Sequence, residues 1–352
     1  GGRLHLDSAY FKPGSGVEDK VGSIKDGAEA RRAHIAIKGT MYEDYIYQLE
    51  YDFAPANPLI RDAYLGLKNI PYLGTVRAGH FFEPWGMDNL TNTNYITFLE
   101  NPLPNLAFAP LRNWGIAAAS SAFDERMEWE VGVFRDADNQ SKVTSDEYNF
   151  TGRLTALPWY KDKGEKLLHL GIAYSLRHPK QTLQYSAKPE ANLSPNFVNT
   201  GAFNAKSNHL LGYEAAFLNG PLSLQGEYMG NIVDQGGDRH DTYFQGLYLQ
   251  ASYFLTGEIR PYLKPNGTFG RIKPRKNFSF KDKGLGAWEV ALRYSWLDLE
   301  DDNINGGILS DASLGLNWYL NPNMRIMWDY IRAHLNGRGN TDILETRFQV
   351  DF

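Results

Sequence analysis

The sequence predicts an all-β fold, a single membrane-spanning antiparallel β-barrel of sixteen strands. Three observations predict it. Polar and apolar residues alternate with period two in run after run, aromatics gather near the ends of the apolar parity, and short links between runs alternate with long ones. The segment RFQVDF at 347–352 is a compact example. Leu344, Thr346, Phe348, Val350 and Phe352 share the drier face, while Glu345, Arg347, Gln349 and Asp351 share the other.

A strand of this kind also suits a soluble sandwich, so the totals arbitrate. The 352 residues include 21 Tyr, 19 Phe and 34 Gly, and the mean hydropathy is polar. No apolar run approaches the roughly 18 residues of a membrane helix, but a barrel escapes that test because only every second residue faces lipid. The lack of cysteine excludes disulfides, thiolate metal sites and cysteine nucleophiles. A net charge of −5 excludes a globally basic nucleic-acid binder, and no nucleic-acid partner is expected. No serine lies in a recognisable nucleophile context, and Asp301, Asp302 and Asn303 lack the ligand spacing of an EF-hand. No catalytic residue, metal or cofactor is expected.

Taken in order, the first strand spans 2–11, with Arg3, His5 and Asp7 on one parity. Strands follow at 30–39 and 42–53, the latter setting Tyr45, Tyr47, Leu49, Tyr51 and Phe53 against Gln48, Glu50 and Asp52. The same pattern places strands at 60–69, 74–82, 113–120, 126–135, 147–157, 166–177, 207–218, 221–230 and 242–255. At 286–297, Trp288, Val290, Leu292, Tyr294 and Trp296 oppose Glu289, Arg293 and Ser295; strands at 310–320, 323–334 and 343–352 complete the set. Sixteen strands leave an aqueous channel, where eight would be filled by side chains. Charges assigned to the inner face nearly cancel, so the wall alone does not fix a preference for either sign.

Tight links are expected at Gly39–Thr40, Asp124–Glu125, 219–221 and 321–323, and long ones at 12–29, 83–112, 136–146, 178–206, 231–241 and 335–342. Two connections stand out. The loop at about 83–112 mixes aromatics, asparagines and prolines and is long enough to fold inward as a constriction. Residues 256–284 fall on the short-turn side yet form the most basic segment, with Arg260, Lys264, Arg271, Lys273, Arg275, Lys276, Lys281 and Lys283 against Glu258 and Asp282. A ring of such cations favours anions in a pore. Attraction to anionic lipid or to a periplasmic partner is the other reading of the same charges.

The order and spacing of GGRL at 1, ARRAHIAI at 30, YQLEYD at 47, TFLEN at 97, LTGEIRPY at 255, IKP at 272, GAWEVALRY at 286 and LGLNWY at 314 carry a resemblance across nearly the whole chain. The sequence resembles the phosphate-selective porins O and P, trimeric outer-membrane channels. The resemblance implies that the third loop and the basic turn both fold into the lumen. It also implies that anions follow basic side chains to a site of lysines on those two segments, with an acid nearby. Arg3 and Arg32, with Arg31 beside it, match the family's basic positions on the first two strands; Asp62 matches the acid, and Lys273 matches one turn lysine. A second turn lysine falls on Leu263, with Lys264 one place away, and the loop lysine falls on Asn94. Arg271 joins them as a cation of the turn.

The reading is therefore a passive porin in the outer membrane of a Gram-negative bacterium, a homotrimer in contact with outer-membrane lipids. It is expected to pass small hydrophilic solutes and to prefer small anions, phosphate included. A general or cation-tolerant pore for organic acids or sugars, a barrel enzyme and a soluble β-rich binding protein are the alternatives.

Overall fold

The computed structural model describes residues 1–138, 141–143, 145–237 and 239–352. Sixteen strands form in the order expected: β1 (Gly2–Pro13), β2 (Gly27–Met41), β3 (Tyr45–Asp52), β4 (Leu59–Ile70), β5 (Gly74–Phe82), β6 (Arg112–Ala122), β7 (Met127–Arg135), β8 (Asn149–Lys161), β9 (Lys166–Arg177), β10 (Ser207–Asn219), β11 (Leu222–Asp234), β12 (Thr242–Phe254), β13 (Ala287–Asp301), β14 (Ile304–Asn321), β15 (Met324–Leu335) and β16 (Gly339–Asp351). Each pairs antiparallel with the next, and β16 pairs with β1 from Arg3↔Asp351 to Pro13↔Thr341, so the sheet closes. Closure removes both edges, which a bilayer would not tolerate unpaired.

The two parities separate as the alternation requires. Leu4, Leu6, Ile35, Ile37, Leu65, Ile116, Leu249, Leu292, Leu314 and Phe348 point outward and exposed, whereas His5, Asp7, Glu50, Asp52, Arg293, Asp329 and Arg347 are buried inside. A protein that surrounds charge with an apolar exterior is solvated by lipid. No helix among the described residues is long and apolar enough to cross a membrane, and the crossing is made by strands.

Some boundaries differ from expectation. The first tight link is at Tyr42–Asp44, not Gly39–Thr40, because β2 runs on to pair Met41 with Tyr45. Tyr42 and Glu43 adopt positive φ there, a turn made without the glycine that the sequence reading favoured. The link expected at 335–342 shortens to 336–338, since β15 and β16 stay paired out to Leu335↔Gly339.

The lumen is unevenly filled. The loop at 14–26, which carries helix α1 (Ser15–Val21), the loop at 83–111 and the loop at 178–206 contribute Val17, Trp85, Leu103, Phe108, Phe197, Val198 and Phe203 to one buried apolar cluster. That cluster packs on inward apolar residues of β10–β16, among them Phe244, Leu297, Leu309, Ile331 and Ile343. Half of the barrel thus has a soluble-type core under its extracellular loops. The open cavity lies on the β1–β8 side.

Candidate pore and its constriction

The loop at 83–111, with short helices α2 (Met87–Leu90) and α3 (Leu103–Phe108), is held against the interior wall by its backbone. Asn317 donates to Thr97 O at 2.8 Å, Arg325 to Ile96 O at 2.8 Å, Gln349 to Asn94 O at 3.1 Å and Arg293 to Glu100 O at 3.1 Å. In the other direction Asp329 accepts from Leu99 N and Glu227 from Asp88 N, each at 2.7 Å. At the loop's start Glu83 is fully buried and accepts from Asn113, Thr151 and Arg177. A hydrogen bond to a charged group contributes about 1.5–3 kcal/mol, so this set holds the loop to the wall at several points. Gly315 makes room for one contact: a Cβ there would come within 3.0 Å of the buried Phe98 ring.

Opposite the loop lies a water-accessible cavity of about 950 Å³. Arg3, Arg31, Arg32, Asp62, Asn94 and Arg271 all line it. The structure thus brings together six of the eight residues singled out from the sequence. Lys264 and Lys273 do not join them. Lys264 donates to Asp124 O at 2.8 Å, across to the β6–β7 turn, with its ammonium 5.0 Å from the Tyr160 ring centroid. Lys273 is exposed beyond the cavity.

Two β-bulges shape the lining. Between β1 and β2 the register moves from His5↔Arg32 to Leu6↔Ala30, leaving Arg31 as the extra residue, so Arg31 and Arg32 both face the lumen. Between β3 and β4 it moves from Leu49↔Ala63 to Tyr51↔Ile60, and Arg61 turns inward beside Asp62. Strict alternation would place one of each pair in lipid, where an arginine at the midplane costs about 2–4 kcal/mol. Consecutive charges within a strand, RR and RD, were the available signal. Arg61 and Arg112, the first residue of β6, were both missed from the sequence; Arg61 bonds Asp52 at 2.8 Å and Arg112 bonds Asp62 at 3.0 Å.

Where the loop meets β2 and β16, the Glu100 carboxylate receives Arg31 Nε at 2.8 Å, Arg31 Nη2 at 3.0 Å and Arg347 Nη2 at 2.9 Å, with Arg32 Nη2 at 3.5 Å. Burial would push the Glu100 carboxyl up, but Arg31, Arg32 and Arg347 together hold it well below the usual carboxylate range. Its share in fixing the loop is present above the ordinary glutamate pKa and is lost only as pH falls through that depressed value. Arg347 is itself paired with Asp7, Nε to Oδ1 at 2.7 Å and Nη2 to Oδ2 at 2.6 Å. Three guanidiniums therefore share two carboxylates. The surplus falls on Arg32, whose Nη1 has no protein partner. Across the gap, Arg3 donates to Asn92 Oδ1, Thr93 Oγ1 and Glu50 Oε1 at 3.1, 2.8 and 2.9 Å. Asn94 Oδ1 meets His5 Nε2 at 3.0 Å and supplies no charge.

The connection from β12 to β13 reaches into the same space. Arg260 is buried, donates to Tyr95 O at 3.1 Å and lies 4.1 Å from the Phe269 ring centroid. Arg153 of β8 donates to Asn266 O at 3.1 Å and Gly267 O at 2.9 Å, and Tyr262 OH meets His169 at 2.6 Å. Residues near 260–272 thus sit within the barrel. Arg271 is paired with Asp351 and donates to Pro322 O.

The family model described as phosphate-selective porin O and P matches residues 1–352. Porin O of Pseudomonas aeruginosa is 28% identical, with all of this chain and 87% of that protein covered. Among solved structures, the anion-selective porin from Comamonas acidovorans has a TM-score of 0.60 at 13% identity, covering 100% of this chain and 98% of its own. OmpT of Vibrio cholerae in its trimer form has a TM-score of 0.59 at 10% identity, covering 99% and 97%. At those identities the two structures speak for the fold, a porin barrel, while the family match speaks for kinship. The chain belongs to the phosphate-selective porin O and P family and is a porin of the Gram-negative outer membrane.

Proposed function

We propose that residues 1–352 form a single-domain, passive diffusion channel with no catalytic step, one subunit of a homotrimer, in which the 83–111 loop and the inner half of the β12–β13 connection make the constriction. The observation that carries an anion preference is the surplus cation at Arg32, where three arginines share two carboxylates. A solute passing there meets the field of a net positive charge. It is concentrated by the field and held weakly enough to leave. Two similar proteins support the reading: the porin of Comamonas, which is anion-selective, and OmpT of Vibrio, which has a trimer form.

A cation-tolerant pore is the second reading, favoured by one observation. Nine Lys or Arg and eight Asp or Glu side chains line the cavity among the described residues, and one oxygen of Glu128 has no partner. Substitution in the β12–β13 connection tests whether that segment adds to the preference. Arg271→Gln is expected to move the reversal potential toward cations, whereas Lys264→Gln and Lys273→Gln leave it unchanged, because only Arg271 borders the cavity. If all three are silent, selectivity does not reside in this connection.

Phosphate is expected to bind weakly, since Asn94 provides a carboxamide where a cation would be needed, and charge-assisted bonds are about twice as strong as neutral ones. Asn94→Lys should therefore make phosphate block chloride current at lower concentration. An unchanged block would remove the 83–111 loop from the anion site.

A further inference from the structure

The β12–β13 connection divides into two halves with different surroundings. Beyond Ile272 the chain leaves the lumen, crosses the periplasmic rim and turns onto the outer wall. Trp288 and Trp318 are cross-strand partners on the lipid-facing parity, their rings stacked at 5.0 Å between centroids. Both indole N–H groups donate to Leu285 O, at 3.2 and 2.9 Å, so this segment lies outside the barrel against them. Phe278 is pinned by its N–H to Leu320 O at 2.7 Å, and its ring packs edge-on against Trp318 at 4.9 Å and Phe280 at 4.8 Å.

The hairpin that results is closed by Ser279 and Gly284, which exchange backbone hydrogen bonds at 3.1 Å. Gly284 is required there, since a Cβ would stand 1.9 Å from Asn277 O. The hairpin presents Phe280 at 91% exposure and Leu285 at 69%. Around them Lys273, Arg275, Lys276, Lys281 and Lys283 are exposed against the single acid Asp282. Among the described residues, no ion pair joins Lys276, Lys281 or Lys283 to an acid, and the Lys276 ammonium donates one hydrogen bond to Asp282 O. Aromatic rings at the level of a tryptophan belt, flanked by unpaired cations, match the boundary between acyl chains and negatively charged headgroups.

We propose that residues 273–285 are a docking site for an anionic glycerophospholipid of the periplasmic leaflet. Phe278, Phe280 and Leu285 enter the acyl region beside Trp288 and Trp318, and Lys276, Lys281 and Lys283 hold the phosphate. The site is separate from the pore, and it gives the exposed half of the connection a use that solute passage leaves unexplained.

The test uses the full-length protein in nanodiscs of mixed phosphatidylcholine and phosphatidylglycerol, one of the two brominated. The part of the tryptophan quenching that is lost in a Trp288→Phe, Trp318→Phe variant, among the eight tryptophans of the chain, reports which lipid lies beside those two residues. Brominated phosphatidylglycerol is expected to occupy the site with about threefold to tenfold preference at low salt, falling in high salt as screening shortens the reach of the lysines. The variant carrying Lys276→Gln, Lys281→Gln and Lys283→Gln should lose that preference while keeping wild-type conductance, which shows the barrel intact. Equal quenching by the two lipids in the wild type overturns the proposal and leaves these lysines to a soluble partner. A preference that survives the triple substitution overturns it as well, by placing the lipid elsewhere.

Discussion

Arg347→Met is expected to lower the temperature at which the barrel loses its compact, heat-modifiable form and to raise single-channel conductance. The guanidinium is fully buried, pairs with both oxygens of Asp7, reaches Glu100 Oε1 at 2.9 Å and donates to Leu99 O at 2.5 Å. Methionine fills much of the volume but leaves Asp7 buried with its partner gone. Breaking a buried pair from one side costs about 3–5 kcal/mol. Part of that loss falls on the loop, because Leu99 and Glu100 are where it crosses the lumen. Arg31 still holds Glu100, so the loop loosens at one end rather than leaving the channel. Gel mobility after graded heating reads the first effect, and conductance and current noise in a bilayer read the second. Unchanged values in both would mean that the loop's position does not depend on this arginine.

Removing the cations opposite that loop has the larger effect on selectivity. In the double variant Arg31→Gln, Arg32→Gln the local balance passes from three cations against two acids to one against two. Each charge acts on an ion about 6 Å away with roughly 0.7 kcal/mol in a water-like dielectric. Each lost charge disfavours the anion and relieves the cation by that amount, so two together change the anion-to-cation permeability ratio by about a hundredfold, toward cations. The shift should grow in dilute salt, where the Debye length lengthens from about 10 Å at 0.1 M to about 30 Å at 0.01 M. Arg32→Gln alone is the gentler version, with about a tenfold change, because Arg31 and Arg347 keep their contacts with Glu100. A ratio that stays at the wild-type value in the double variant would locate the selectivity elsewhere.

The barrel was legible in the sequence because a lipid-facing wall enforces the period-two pattern on every strand. β13, β15 and β16 show it plainly, with Trp288, Trp328 and Phe348 outward and Glu289, Asp329 and Arg347 inward. Bulges were not legible from alternation, since one inserted residue reverses parity only locally; Arg31 and Arg61 entered the lumen that way. The long loop and the basic connection announced themselves by length and charge, but charge did not say which cations face water in the pore. Arg271 and Lys273, two residues apart, ended on opposite sides of that division because the chain passes from lumen to rim between them. Glu100 left no trace in the pattern. Its importance comes from Arg31, Arg32 and Arg347 converging on it, from β2 and β16, which only the closed topology brings together.

The most direct test of the central claim is the zero-current potential of the wild-type protein in a planar bilayer across a potassium chloride gradient. The surplus charge at Arg32 predicts the sign of a chloride-preferring channel, with a magnitude that falls as both solutions are made more concentrated. A potential of the opposite sign, or one of zero at low salt, would contradict it.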